Sequence, residues 1–386
     1  VRIASPRRLS ATPFLKNRNG AALAVAILAL VVVGALVAGA FFAGTQEQRL
    51  AETTRRLQQA AGVADAGLAE VVARWEPAIT ARLGVYPGDS LALAPLPSPA
   101  RTGTYRGYVY KLNRDIYLID VTGADLPSRA ARHRLGLVVR VRPLPMALEA
   151  ALTAPGLVTV AAGASVSGMD GGSGGRPDCV PAADGDTARA GVRSGVPVAG
   201  TGSVTGQPAS QVDATLSDST FLRLGDLSVA ELARRAGARL GGGTFAPGPV
   251  LSPQGQCDRS VAANWGDGVG TGPCADHAPL IHVGGDATLT GGHGQGMLLV
   301  EGDLVLTGDF QFAGVIIVTG TLVIRGPVGP RGEGVRLTGA VVARSVTIEP
   351  SGAPAAIRYS NCFVGNALRS AGTVAPLRSR GWAQLF

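Results

Sequence analysis

Between Ala21 and Ala43 the chain runs for 23 residues without a charged or strongly polar side chain. A helix of that length spans roughly 35 Å, against about 30 Å for the hydrocarbon core of a bilayer. The pattern then changes without a breaker. Leu50, Thr54, Leu57, Ala61, Ala64, Leu68, Val71 and Trp75 recur at alternating steps of four and three, which places them on one seam of a helix. Arg49, Glu52, Arg55, Arg56 and Glu70 fall off that seam. Together the two patterns predict one continuous helix from Ala21 to Trp75, roughly 80 Å long, stopped or kinked at Pro77. Its first part, 21–43, is the transmembrane segment, and 44–80 is its amphipathic extension. Gly34 and Ala38, four apart, allow close approach of a neighbouring helix. A cleaved signal peptide, cut near Ala38-Gly39-Ala40, and a plain membrane anchor are the competing readings of the same stretch.

Beyond the helix the period shortens to two. LALAPLPSPA (91–100) reads as a Pro-rich linker. TYRGYVYKLNRDIYLIDVTG predicts two strands around Leu112-Asn113-Arg114-Asp115, and HRLGLVVRVRPL a third, giving a small antiparallel β module over 101–152. Tyr105, Tyr108, Tyr110 and Tyr117 within it read as cross-strand packing, with a binding stripe as the alternative. PMALEAALTAP predicts a short amphipathic helix. Further on, GDATLTG, GDLVLTG and GTLVIRG begin at Gly285, Gly302 and Gly320, each preceded by an apolar run: PLIHV, GMLLV and GVIIV. A strand–turn–strand unit recurring every 17 or 18 residues predicts a right-handed β-solenoid-like domain over 156–374. GLVTVAAGASVSG (156–168) is its first rung, 169–277 a long insertion holding one helix in LGDLSVAELARRAGARL capped by Asp226 or Ser228 and stopped at Gly241, AAIRYSNCFV its final strand, and 375–386 a tail. The fold class is therefore α+β, mainly β.

Composition alters this picture in two places. The net charge of +8 suggests a polyanion partner, but Arg2, Arg7, Arg8, Lys16 and Arg18 supply five of those charges before residue 20, leaving a mild +3 for the remainder. That distribution argues against nucleic acid. It also makes 1–20 a basic leader that stays cytoplasmic and sends the bulk of the chain across the membrane. The four cysteines, Cys179, Cys257, Cys274 and Cys362, contain no C-x-x-C pair. An even number beyond an export segment suggests two disulfides. Of three possible connectivities, Cys257–Cys274, which closes a short loop, with Cys179–Cys362 is preferred; four free thiols are the alternative.

The stretch RNGAALAVAILAL, with RRLQQAAGVADAGLAEVV downstream, resembles the N-terminal segment of PilX-type minor pilins. That family shows a basic leader ending in Gly, an apolar run opening with small residues and Leu, and an Ala-rich A-x-x-A-E-A-G-L helix signature. Gly20 matches the residue after which the family's prepilin peptidase cuts, which would make Ala21 the new N-terminus. Ala64-Asp65-Ala66-Gly67-Leu68 matches the signature with Asp65 in place of Glu. Val25 stands where major pilins carry Glu, which points to a minor subunit. GQGMLLVEGDLVLTGDFQFAGVIIV and AIRYSNCFV resemble the C-terminal domains that accompany such N-termini.

Chemistry has few candidates. Asp286, Glu301, Asp303 and Asp309 could serve a polysaccharide-acting β-helix enzyme, but most recur at Gly turns, where Asp bonds local backbone. His277, His282 and His293 have no ligand partner at metal spacing, and GGHGQG lacks the Lys-Ser/Thr of a phosphate loop. The expected function is a non-enzymatic minor subunit of a type IV pilus or pilus-like secretion machine, without cofactor. Its partners are the lipid bilayer and other pilin-like subunits, met through the seam Leu50, Leu57, Ala61, Ala64, Leu68 and Val71. A surface ligand is undefined. The resemblance implies a single inner-membrane pass, with the bulk periplasmic or extracellular. An anchored or secreted β-helix enzyme or adhesin is the alternative.

Overall fold

The computed structural model describes residues 18–75, 80, 83–97, 102–126, 131–172, 188–218, 220–222, 224, 227–268, 271–326, 332–350, 352–378 and 381–384. A single helix, α1 (Arg18–Ala73), opens the chain. It is unbroken across the change from apolar to amphipathic sequence. Two i,i+4 pairs, exposed Arg56 with Glu52 and Arg74 with the largely covered Glu70, support its outer half. Each such pair adds only a few tenths of a kcal/mol.

An antiparallel sheet follows, with strands β1 (Ser90–Pro97), β2 (Gly103–Lys111), β3 (Ile116–Asp125) and β4 (Arg132–Arg142) in sequence order. The hairpin turn falls where the pattern placed it. The Asn113 Oδ1 accepts from the backbone N–H of Asp115 at 3.0 Å and of Ile116 at 2.8 Å, an Asx turn. The presumed linker 91–100 is a correction: Ser90–Pro97 is β1, paired with β2 through a bulge between Leu93 and Leu96. Proline is tolerated there because an edge strand has no second neighbour requiring its N–H.

A second sheet of thirteen strands takes up most of the rest. It begins with β5 (Ala150–Ala154), β6 (Val158–Val160), β7 (Ala164–Ser167), β8 (Ala190–Ser194), β9 (Ser203–Thr205) and β10 (Ser210–Val212). The short helix α2 (Val229–Arg235) and β11 (Ala238–Phe245) follow. Next come β12 (Leu280–Leu289), β13 (Gly292–Val300), β14 (Leu304–Thr307), β15 (Phe310–Gly326), β16 (Val335–Ile348) and β17 (Ala355–Arg358). The repeat read from sequence is the register of this sheet. Leu280 lies opposite Met297, Met297 opposite Val315, and Val315 opposite Ala340, all parallel. The second row runs Ala287, Leu304, Leu322, Val346, Val158. Aliphatic side chains therefore stack over one another and are buried, as Leu298, Ile317, Val341 and Val346 are.

Four expectations change here. Ala150–Ala154 is not helix but a wholly buried strand between β16 and β8. Pairing on both sides outweighs the helix preference of Ala and Leu. The stretch taken as an insertion contributes β8, β9, β10 and β11 to the same sheet. Helix α2 is capped by Ser228, with the Glu231 carboxylate returning to the Ser228 N–H. It stops at Ala236 rather than at Gly241, because Ala238–Leu240 pair with Ile281–Val283. Finally, AAIRYSNCFV is strand only to Arg358. Ser360 then caps helix α3 (Asn361–Ser370), which carries Cys362.

The chain returns to the first sheet as β18 (Thr373–Pro376) and β19 (Trp382–Gln384), both antiparallel to β4. Residues expected as a tail thus close an edge.

Cys257 and Cys274 are joined across a separation of 17 residues. The buried Asn264 amide inside this loop donates to Val250 O at 3.1 Å and Asp258 O at 2.6 Å. A loop of that size contributes about 3 kcal/mol by constraining the unfolded chain. Replacing both cysteines by serine is expected to lower stability by about that amount in a thermal melt; an unchanged melt would refute the estimate. Cys362 is also disulfide-bonded, while Cys179, its expected partner, lies outside the described residues.

Candidate functional site

The feature with functional content is the way α1 is used. Over Ala22–Phe42 none of its large apolar side chains has a cover: Leu23, Leu30, Leu36 and Phe41 are 67 to 76% exposed. The helix is long and apolar enough to cross a membrane. Further along, Val63, Ala64 and Leu68 are buried in one apolar cluster with Tyr105, Val109, Tyr117, Ile119, Val121, Leu137, Val139 and Val141 from β2, β3 and β4, and Ala60 is buried against Gly123. Trp75 meets Tyr117 edge to face at 5.2 Å.

Small residues make this docking close. A Cβ on Gly123 would sit 2.4 Å from Ala60 O and 2.5 Å from Ala64 N. A Cβ on Gly67 would sit 2.6 Å from the Tyr105 ring. The helix backbone thus rests directly on the sheet, and the Tyr105 ring lies across Gly67. The Ala-rich signature at 64–68 has a local physical reason: any larger residue at 67 would push the ring away.

The Tyr105 hydroxyl is buried and bonds the Glu70 carboxylate; desolvation first, and that carboxylate second, push its pKa up to about 12. Below pH 10 the phenol is protonated both folded and unfolded. Between 10 and 12 only the unfolded chain releases the proton, so docking loses stability as pH rises through that window. Tyr105→Phe is expected to remove that part of the alkaline loss in pH-dependent melts, and an identical loss in the variant would count against it.

The sequence-derived seam divides. Ala64 and Leu68 are buried against the chain's own sheet, and Ala61 and Val71 are partly covered. Leu50 and Leu57 remain 66% and 45% exposed. The assembly seam expected at 50, 57, 61, 64, 68 and 71 is thus corrected at Ala64 and Leu68, which the β module already covers. Ala60 and Val63, absent from that seam, are buried as well. A helix lying on a sheet buries a stripe wider than a coiled-coil line. The Gly20-Ala21 peptide lies in the opening turn of α1. The four tyrosines also divide: Tyr105 and Tyr117 face the helix, while Tyr108 and Tyr110 face outward.

Three of the four candidate catalytic carboxylates are turn staples. Asp286 Oδ1 accepts from Asp303 N at 2.8 Å, Asp303 Oδ1 from Thr321 N at 2.7 Å, and Asp309 Oδ1 from Gly334 N at 2.8 Å. Glu301 faces His282 at 3.4 Å, and Asp267 faces His293 at 3.6 Å. Among the described residues no three His, Cys, Asp or Glu side chains gather as a metal site. A cleft of about 190 Å³ beside β5 is lined by Met146, Thr153, Arg193 and Phe221, among others. Its Arg193 is held by Glu149 at 2.9 Å and Asp213 at 2.5 Å. Hydrogen bonds from Thr215, and then Arg193, hold the Asp213 carboxyl down at about 2.

No family model matches the chain, and no curated protein matches it. Among solved structures it is similar to the competence-associated pilin ComZ from Thermus thermophilus, at 14% identity over 81% of this chain and 94% of that one, with a TM-score of 0.23. A superposition that loose carries no argument about function.

Proposed function

We propose that the chain is a non-enzymatic, minor pilin-like subunit of a pilus or pilus-like secretion machine. Its β-rich part is held outside the membrane by α1. One observation carries this reading. A single helix, Arg18–Ala73, is bare and apolar in its first half and docked on a sheet in its second. A simple anchor has no need of a rigid continuation past the membrane. A subunit that must move from bilayer to filament does, because the same apolar surface can pack on lipid or on like helices. Support comes also from the resemblance of residues 16–75 to PilX-type minor pilins, with Gly20 and Ala64-Asp65-Ala66-Gly67-Leu68 matching and Val25 departing from the Glu of major pilins. The parallel stack of β5–β17 is read as a solenoid displayed on this stem.

The leader 1–20 and the Gly20–Ala21 junction give the test. Mass spectrometry of the protein recovered from membranes of a host carrying a prepilin peptidase should find a mature N-terminus at Ala21. An N-terminus following Ala40 would overturn the reading in favour of a secreted protein.

A further inference from the structure

The outward face of the first sheet has a composition unlike the rest of the chain. Tyr108 and Tyr110 stand 6.1 Å apart, and Tyr86 meets Tyr110 edge to face at 5.6 Å. Tyr86 and Tyr108 are 58% and 47% exposed. Around them, on the same face by strand alternation, lie Arg106, Arg132, Arg134 and Arg140. The one carboxylate on that face of β2, β3 and β4 is Asp120. Arg134 engages it through Nε at 2.9 and 3.1 Å and Nη2 at 2.5 Å. Among the described residues no carboxylate pairs with Arg106, Arg132 or Arg140. Exposed Tyr with Arg is the composition of protein-binding hot spots.

What would cover it follows from charge and geometry. A bilayer is too far away: the near end of the sheet is level with Gln59, whose amide bonds Thr102 O at 2.8 Å, roughly 24 Å of helix beyond Ala43. Stacking of successive bases needs rings in parallel succession, whereas Tyr86 and Tyr110 are at 89°. An acidic protein surface fits, and the chain holds one. Asp286, Glu301 and Asp303 are exposed on adjacent turns of the parallel stack. No ion pair joins them to the basic face within the chain among the described residues.

We propose that the Tyr108–Arg106–Arg140 face of one copy docks on the Asp286–Glu301–Asp303 corner of a second copy. This rests on the filament reading and adds to it the contact made by the outer parts. The contact uses two different patches, so it is heterologous and extends copy upon copy. Arginine suits it because its planar fork matches carboxylates two bonds at a time, as Arg134 does with Asp120.

The test uses the full-length chain in cell membranes, with a photo-crosslinking residue in place of Tyr108 and, separately, of Leu57. Crosslinking at 108 is expected to join a second copy through the peptide containing Glu301. Arg140→Glu should lower the yield about tenfold, equivalent to about 1.4 kcal/mol. Co-expression with a Glu301→Lys chain should restore it. Capture of another protein, or no crosslink at 108 while 57 still joins neighbouring helices, overturns this contact and leaves the filament reading standing. Failure at both positions overturns both.

Discussion

Gly123→Leu is expected to lift α1 off its sheet. The Cβ alone would stand 2.4 Å from a backbone oxygen and 2.5 Å from a backbone nitrogen of the helix. Neither atom belongs to a side chain that can rotate away. Overpacking of a tight interface costs about 1–3 kcal/mol, and more where backbone must move. Among the described residues the cluster under Gly123 is one helix face on one sheet face with Leu83 added from the segment between them, which leaves little with which to repack. In detergent-solubilised full-length protein, residues 60–75 should become sensitive to protease. Gly62→Ala is the matched control. It has nothing within 4 Å of the added atom, and alanine favours a helix by about 0.5–1 kcal/mol. Wild-type protection in the leucine variant would refute the contact.

Phe310→Ala is expected to have the largest effect on the parallel stack. Phe310 is fully buried and stacks on Phe312 with ring centroids 6.2 Å apart. It lies opposite Gly292 in β13, so that strand offers no side chain to fill the space it leaves. Truncating a buried phenylalanine costs about 3–5 kcal/mol. Thermal unfolding should show that loss, against about 0.5 kcal/mol or less for the exposed Tyr108→Ala. Equal melting of the two variants would show that the side-chain ladder does not hold the stack together.

Local periodicity disclosed the elements whose partners are near in sequence. The helix was legible from the apolar run to within two residues of its end, at Ala73 rather than Trp75, and so were the Asn113 turn and the 17- and 18-residue register, because each is set by spacing along a short stretch. The rest depended on distant partners. Ala150–Ala154 has the letters of a helix and becomes a strand only because β16, nearly 200 residues later, lies beside it. β1 hides behind prolines that only an edge can accept. The stripe on α1 that is buried was half legible: Leu68 and Ala64 were in the seam, Ala60 and Val63 were not. Their burial is decided by Gly123 and Gly103 on the sheet, and a glycine in a strand announces its close neighbour only once the neighbour is known. The division of the four tyrosines followed from simple alternation and could have been drawn from the hairpin register alone.

The return of residues 373–384 to β4 sets an order of events for a chain that emerges from its amino end. β1 through β4 can pair as soon as residue 142 has appeared, and α1 can settle on them. One margin of that sheet then stays open while more than 200 further residues are made and stacked. An open margin invites foreign strands. The period between the emergence of β4 and the arrival of Thr373 is therefore when the young chain is most exposed to mispairing, and when a holding chaperone would matter most.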